Sequence, residues 1–238
     1  MPEREGNARE RALGYELLAG IFLKEPTLEQ FRTLQNWAAG LEDSSLKELL
    51  REIEEGDPEL QELLQTYYDL FFVPVSGRFV PPFEAAIRGA QRQKGRKIRY
   101  GGFWGDSTLQ VRQIYQQIGF EPEKMNSFQP LKEMNIPDHI GFELSALACL
   151  CQAEASWEEE QKDLDSLHSI QKILLEEHLN QWLDHLREDL AEADPTGFYT
   201  YFARLAAEFC REEVGFLTGS PLPENVSNEN IHREEWKA

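Results

Sequence analysis

The segment Pro137-Asp138-His139-Ile140-Gly141-Phe142-Glu143-Leu144 places a carboxylate, an imidazole and a second carboxylate within six positions. An Asp-His pair of this kind can move protons or ligate a metal, and His139 and Glu143, four apart, could pair on one helical face. Asp138, following Pro137 and preceding an apolar run, also has the position of a helix N-cap. The dipeptide order is Asp-His at 138–139 and at 184–185, never the His-Asp order of many metal phosphohydrolases, and HExxH does not occur. His168, His178 and His185 share one helix-like segment at spacings of ten and seven, which suits a solvated or interfacial stripe better than three ligands of one ion. No GxSxG elbow, GxxxxGK[ST] loop or GxGxxG turn is present, so the chain carries no marked nucleophile, phosphate loop or cofactor fingerprint. No metal and no cofactor is therefore expected.

A second constellation points to binding. Tyr68, Phe71 and Phe72 end a helix-like run, Val73-Pro74 breaks it, and Pro81-Pro82-Phe83-Glu84 follows. Aromatic rings at helical spacing can be plain core. Prolines that stiffen the following loop, with Phe83 offering an apolar face, suit one wall of a preorganised groove.

The elements that must position these residues are helical. Residues 8–24 place Ala12, Tyr15, Ala19 and Phe22 in register; Thr27 opens a second helix that stops at Gly40. Asp43 or Ser44 can cap a third with Leu46, Leu49, Leu50 and Ile53, and Asp57-Pro58 starts a fourth that holds Leu63, Tyr67, Tyr68 and Phe71. Helical pattern resumes from Ser107 to Gly119, from Ile140 to Cys151, from Leu164 to Leu190 and from Thr196 to Val214. The Ile140–Cys151 run is apolar nearly all round, as a central helix is. No alternating β-branched run appears, and the fold class is all-α. One bundle-like domain is expected over residues 1–218, built of two packed helical halves, 1–84 and 107–218, with a tail at 219–238. A Pro/Gly-rich loop at 85–106 joins the halves. Between Ala85 and Gly105 it carries Arg88, Arg92, Lys94, Arg96, Lys97 and Arg99 and no acid, which reads as a solvated helix end and connection or as a seat for an anionic group.

Composition narrows the partners. The 238 residues carry a formal charge of -19, so nucleic acid is an unsuitable partner and a basic peptide a suitable one. Cys149, Cys151 and Cys210 are odd in number without CxxC spacing and fit small core residues in a reducing compartment. Neither a secretory leader nor a membrane-spanning run is recognisable, which makes a cytoplasmic protein without stable membrane insertion the expectation.

In these positions the chain resembles the TorD/DmsD/NarJ family of redox-enzyme maturation chaperones. The resemblance lies in the aromatic helix end at Tyr68 to Phe72, the Val73-Pro74 step, Pro81 to Glu84, and the Asp-His-Ile-Gly-x-Glu-Leu element at 138–144. Tyr115 to Phe120, His178-Leu179-Asn180-Gln181-Trp182 and Phe198-Tyr199 are similar to later family elements. Ala85 stands where the family usually has Ser, and Val73 where it has Gly. The resemblance implies a non-enzymatic chaperone that binds the leader peptide, the apo form, or both, of a molybdopterin-containing oxidoreductase subunit before export or assembly. Its peptide-binding residues would be Tyr68, Phe71, Phe72, Pro82, Phe83, Glu84, Asp138 and His139. A NarJ-like chaperone for a non-exported subunit is the nearest alternative, a small metal-dependent phosphohydrolase a more distant one, and a homodimer is left open.

Overall fold

The computed structural model describes residues 7–51 and 57–219. In chain order the helices are α1 (Ala8–Leu23), α2 (Leu28–Ala39), α3 (Ser44–Leu49), α4 (Pro58–Phe71), α5 (Glu84–Arg88) and α6 (Asp106–Ile118). They continue with α7 (Gln129–Met134), α8 (Ile140–Glu159), α9 (Asp165–Ile173), α10 (Asn180–Ala193) and α11 (Phe198–Thr218). Among the described residues no strand forms, and extended pairing is confined to two isolated bridges, Phe83 with His139 and Gln91 with Arg99. The all-α class holds. Ile53 and the tail beyond Gly219 lie outside the described residues.

Helix starts follow from local chemistry. Asn7 and Glu10 form a reciprocal capping box on α1, while Thr27 and Asp43 accept amide protons from Gln30 and Leu46. Pro58 occupies the first position of α4, where a missing N–H costs nothing. Gly119 stops α6 in the left-handed conformation.

The centre is α1 against α8. Both are buried on nearly every side, which is why neither reads as strongly amphipathic. Their close approach depends on Gly141: a Cβ there would fall 2.4 Å from Leu23 Cγ. Around this pair, α10 and α11 pack on each other, and α5 packs on both α6 and α10.

A buried ionic cluster centres on Arg11. Arg11 of α1 donates from Nε to Glu213 of α11 (2.5 Å), from Nη1 to Glu154 of α8 (2.9 Å) and from Nη2 to Gln171 of α9 (2.8 Å). Burial works against its charge, but Glu213 and Glu154 more than offset that and hold the guanidinium protonated. Four helices are thereby tied to one side chain.

The long segment read from Leu164 to Leu190 is one continuous helical rod across α9 and α10, with a π-helical stretch, Leu174–Leu179, between them. That stretch turns Leu174, Leu175, His178 and Leu179 inward together.

Candidate functional site

The two motifs singled out in the sequence meet as a short antiparallel pairing. Glu84 N donates to Asp138 O (2.9 Å) and Ile140 N to Pro82 O (3.0 Å), so Phe83 lies beside His139. The two stiff Pro-bearing segments thus fix α5 and α8 to each other. Asp138 does not cap α8, correcting the expectation from its position after Pro137. Its Oδ2 accepts from Ala85 N (3.0 Å), in the first turn of α5, and from Thr108 Oγ1 (2.7 Å) of α6. The N-cap of α8 is His139, whose Nδ1 accepts from Gly141 N at 3.1 Å.

His139 therefore does not pair with Glu143. Its ring is fully buried, Nε2 has no hydrogen-bond partner among the described residues, and burial pushes its pKa down to about 3, so the imidazole is neutral. Glu143 is likewise buried, with its carboxyl group against Trp182. Burial, then Glu84 and Asp138, push its pKa well above the ordinary carboxylate range. Burial also raises Asp138, to about 6, against the hydrogen bonds from Thr108 and Ala85 that favour its ionised form.

Glu84 is the hub of the joint. Its Oε1 accepts from Arg88 Nη1 (2.5 Å) and its Oε2 lies 2.9 Å from His178 Nδ1, on the π-helical stretch. Arg88 also donates to the carbonyl oxygen of Glu177 (3.3 Å) in the same stretch. The three histidines expected as a stripe are separated in environment: His178 is buried on Glu84, His168 is half-buried beside Glu154, and only His185 is exposed.

Of the expected binding residues, Phe83, Glu84, Asp138 and His139 are thus brought together, with Pro82 contributing its carbonyl. Phe83, Asp138 and His139 are 1 %, 0 % and 0 % exposed, and Phe83 packs between Phe103 and His139. Tyr68, Phe71 and Phe72 belong to a separate aromatic cluster. Phe71 is buried against Phe22 and Tyr199, while Tyr68 and Phe72 are half-buried around Phe128, with the Tyr68 hydroxyl donating to Glu25. The folded chain presents the first set as a joint beneath the surface and the second as a partly exposed aromatic cluster at the end of α4.

A cleft of about 670 Å³ whose lining includes Ala85, Arg88, Gly101, Trp104 and Ser107 lies over the joint. Asp138 sits directly under it, through its bonds to Ala85 and Thr108. Trp104 is 51 % exposed at its edge, with the Arg112 guanidinium 5.0 Å from its ring. A second cleft of about 690 Å³ lies away from the motifs, floored by Phe31, Leu63 and Phe198 and edged by Glu48, Glu59 and Glu62. Sequence reasoning singled out neither Thr108 nor Arg88 as parts of this joint. His178, read as one of a histidine stripe, and Trp182 are also part of the family-like His-Leu-x-x-Trp element, and both come to the Glu84–Glu143 region. No described group of three or more His, Cys, Asp or Glu side chains has the geometry to hold a metal ion.

The paired Pro-Phe-Glu and Asp-His-Ile-Gly elements thus lock α5 and α8 together beneath this cleft in an all-α protein. The family comparison covers the same elements. Residues 34–188 match the family model described as the nitrate reductase delta subunit, a span that contains both elements and the whole joint. The chain belongs to this family. Among solved structures it is similar, at 16% identity and a TM-score of 0.45, to a protein of Archaeoglobus fulgidus provisionally described as a redox enzyme maturation protein; the alignment covers 86% of this chain and 94% of that one. No curated protein matches the chain.

Proposed function

We propose that this protein is a non-enzymatic maturation chaperone of molybdopterin-containing oxidoreductases, acting in the cytoplasm. It binds the apo form of a catalytic subunit, its leader peptide, or both, and holds the subunit until the cofactor is in place. The observation that carries the reading is the family match over 34–188, which spans the Phe83–His139 pairing and the cleft above it. Family membership equally accommodates a NarJ-like role toward a subunit that is not exported.

The buried residues support this reading as a scaffold. Glu84, Asp138 and His139 position the walls of the cleft, and Trp104 offers the exposed aromatic surface an incoming segment can cover. Tyr68 and Phe72 form a second half-buried aromatic surface. No helix among the described residues is long and apolar enough to cross a membrane.

The test is retention of a molybdoenzyme catalytic subunit by immobilised chaperone, from cells able or unable to make the molybdopterin cofactor. Retention should be strong for the apo form and weak once the cofactor is inserted. Equal retention of both forms, or of neither, rejects the reading.

A further inference from the structure

The basic stretch between α5 and α6 is more than a connection. Gly89 and Gly101 close its base: a Cβ on Gly101 would lie 2.9 Å from Gly89 Cα, and one on Gly89 would lie 3.0 Å from Ala85 O, so the backbones touch where side chains cannot fit. Above them Gln91 and Arg99 exchange both backbone hydrogen bonds, at 2.8 and 3.3 Å. The tip turns through Gln93-Lys94-Gly95-Arg96, with Arg96 N donating to Gln93 O and Gly95 at φ +75°, a conformation suited to glycine. Arg92 then fixes the hairpin to the body, with Nε and Nη2 on the two carboxylate oxygens of the buried Asp189 at 3.2 and 2.7 Å and Nη1 on Ile87 O.

Of the six cations, Arg88 and Arg92 are thus consumed by structure. Lys94, Arg96, Lys97 and Arg99 are exposed and none has an acidic partner among the described residues; Arg96 bonds only to Gln93. Lys97 and Arg99 share one face, while Ile98 and Tyr100 turn inward between and beside them. A chain with 43 acidic residues leaves these four charges together and unpaired on an anchored hairpin. Holding like charges side by side is unfavourable unless an anionic surface meets them.

We propose that this hairpin is a docking finger for a short acidic segment of a partner protein. The net charge selects that partner class. A nucleic acid or an anionic bilayer extends its charge well beyond the finger and would face the rest of a chain of formal charge -19. Screening over about 8 Å at physiological salt lets a short segment feel the four cations while escaping most of that repulsion. This surface differs in sign from one that receives the arginines of a leader, so a partner can engage it independently of leader binding.

The test uses the full chain and a labelled short peptide of alternating Glu and Ala. Replacing Lys94, Arg96, Lys97 and Arg99 together by Gln should weaken peptide binding roughly tenfold or more, and the wild-type affinity should fall as salt rises from about 50 to about 300 mM. Replacing four other exposed cations, Lys24, Arg32, Lys47 and Arg78, should change affinity by no more than about twofold. Thermal melts, in which both variants should match the wild type, keep the comparison among folded proteins. Equal weakening in the two variants, or no binding by the wild type, overturns the proposal. Tighter binding to an RNA oligonucleotide or to phosphatidylglycerol vesicles than to the peptide overturns the choice of partner.

Discussion

Glu84 and His178 meet inside the protein, Oε2 to Nδ1 at 2.9 Å, although they are ninety-four positions apart in the chain. The contact fastens α5 to the π-helical stretch, and Arg88 reinforces it from the surface side. Breaking a buried pair by removing one partner strands the other, so Glu84→Ala should cost about 3–5 kcal/mol of stability. Urea denaturation of Glu84→Ala, His178→Ala and the double variant measures this. A coupling energy near zero would show that the two residues stabilise the fold separately.

Glu143 should behave in the opposite sense. Its folded-state pKa lies above its unfolded value, so the folded chain retains a proton that the unfolded chain releases, and stability falls as pH rises past the ordinary carboxylate range. Glu143→Gln keeps the shape and removes the titration. Its melting temperature should exceed that of the wild type at pH 8 and approach it at pH 4.

Arg11 holds two buried carboxylates in place, and its loss leaves Glu154 and Glu213 without their cation. Arg11→Met should destabilise the protein by about 3–5 kcal/mol, measured by chemical denaturation. Combining it with Glu154→Gln and Glu213→Gln should restore much of that loss, because an uncharged site no longer needs the guanidinium. Failure of the triple variant to recover would assign the cost to packing, including the lost stack of Arg11 on Phe216.

The helices were largely legible because capping residues and apolar periodicity are local signals: Thr27, Asp43 and Asp57-Pro58 begin helices where the sequence places them. What stayed hidden is tertiary. Asp138 has the local credentials of a cap for α8, yet its carboxylate caps α5 because the Pro82 and Pro137 segments pair side by side. Nothing in a linear reading brings residues 82–84 to 138–140 in that register. Arg11 sits on a helix that looks ordinary until three other helices supply its partners. The π-helical stretch has no composition of its own, and so His178 reads as one member of a surface stripe instead of the buried mate of Glu84.

Asp138 gives a pH signature. Burial raises its folded pKa to about 6 from an ordinary 3.8. Between those values the folded state binds more protons than the unfolded one, so this group's contribution to stability declines as pH rises through that window and is flat on either side. His139 has its pKa lowered to about 3 and acts in the opposite direction as pH falls below its unfolded value, so a raw pH profile mixes the two. Subtracting the profile of Asp138→Asn isolates the carboxylate. The stability of wild type relative to that variant should drop by on the order of 3 kcal/mol between about pH 4 and 6.5. A flat difference would place Asp138 in a more hydrated setting than its burial indicates.

The aromatic residues of the site should separate into scaffold and surface. Phe83 is 1 % exposed and packs against Phe103 and His139, so Phe83→Ala opens a cavity and should cost about 3–5 kcal/mol of stability. Trp104 is 51 % exposed at the cleft edge, so Trp104→Ala should leave the unfolding midpoint nearly unchanged. If the client covers that ring as a binding hot spot, the same variant should weaken binding of the apo-subunit by roughly 1–3 kcal/mol. Phe72→Ala probes the other aromatic surface: half-buried beside Phe128, it should show a moderate loss of stability and, if that surface is also covered, a comparable loss of affinity. Calorimetric titrations of the folded variants, run beside their melts, distinguish the surfaces. Unchanged affinity in Trp104→Ala with a loss in Phe72→Ala would move the docking surface from the α5–α6 cleft to the end of α4.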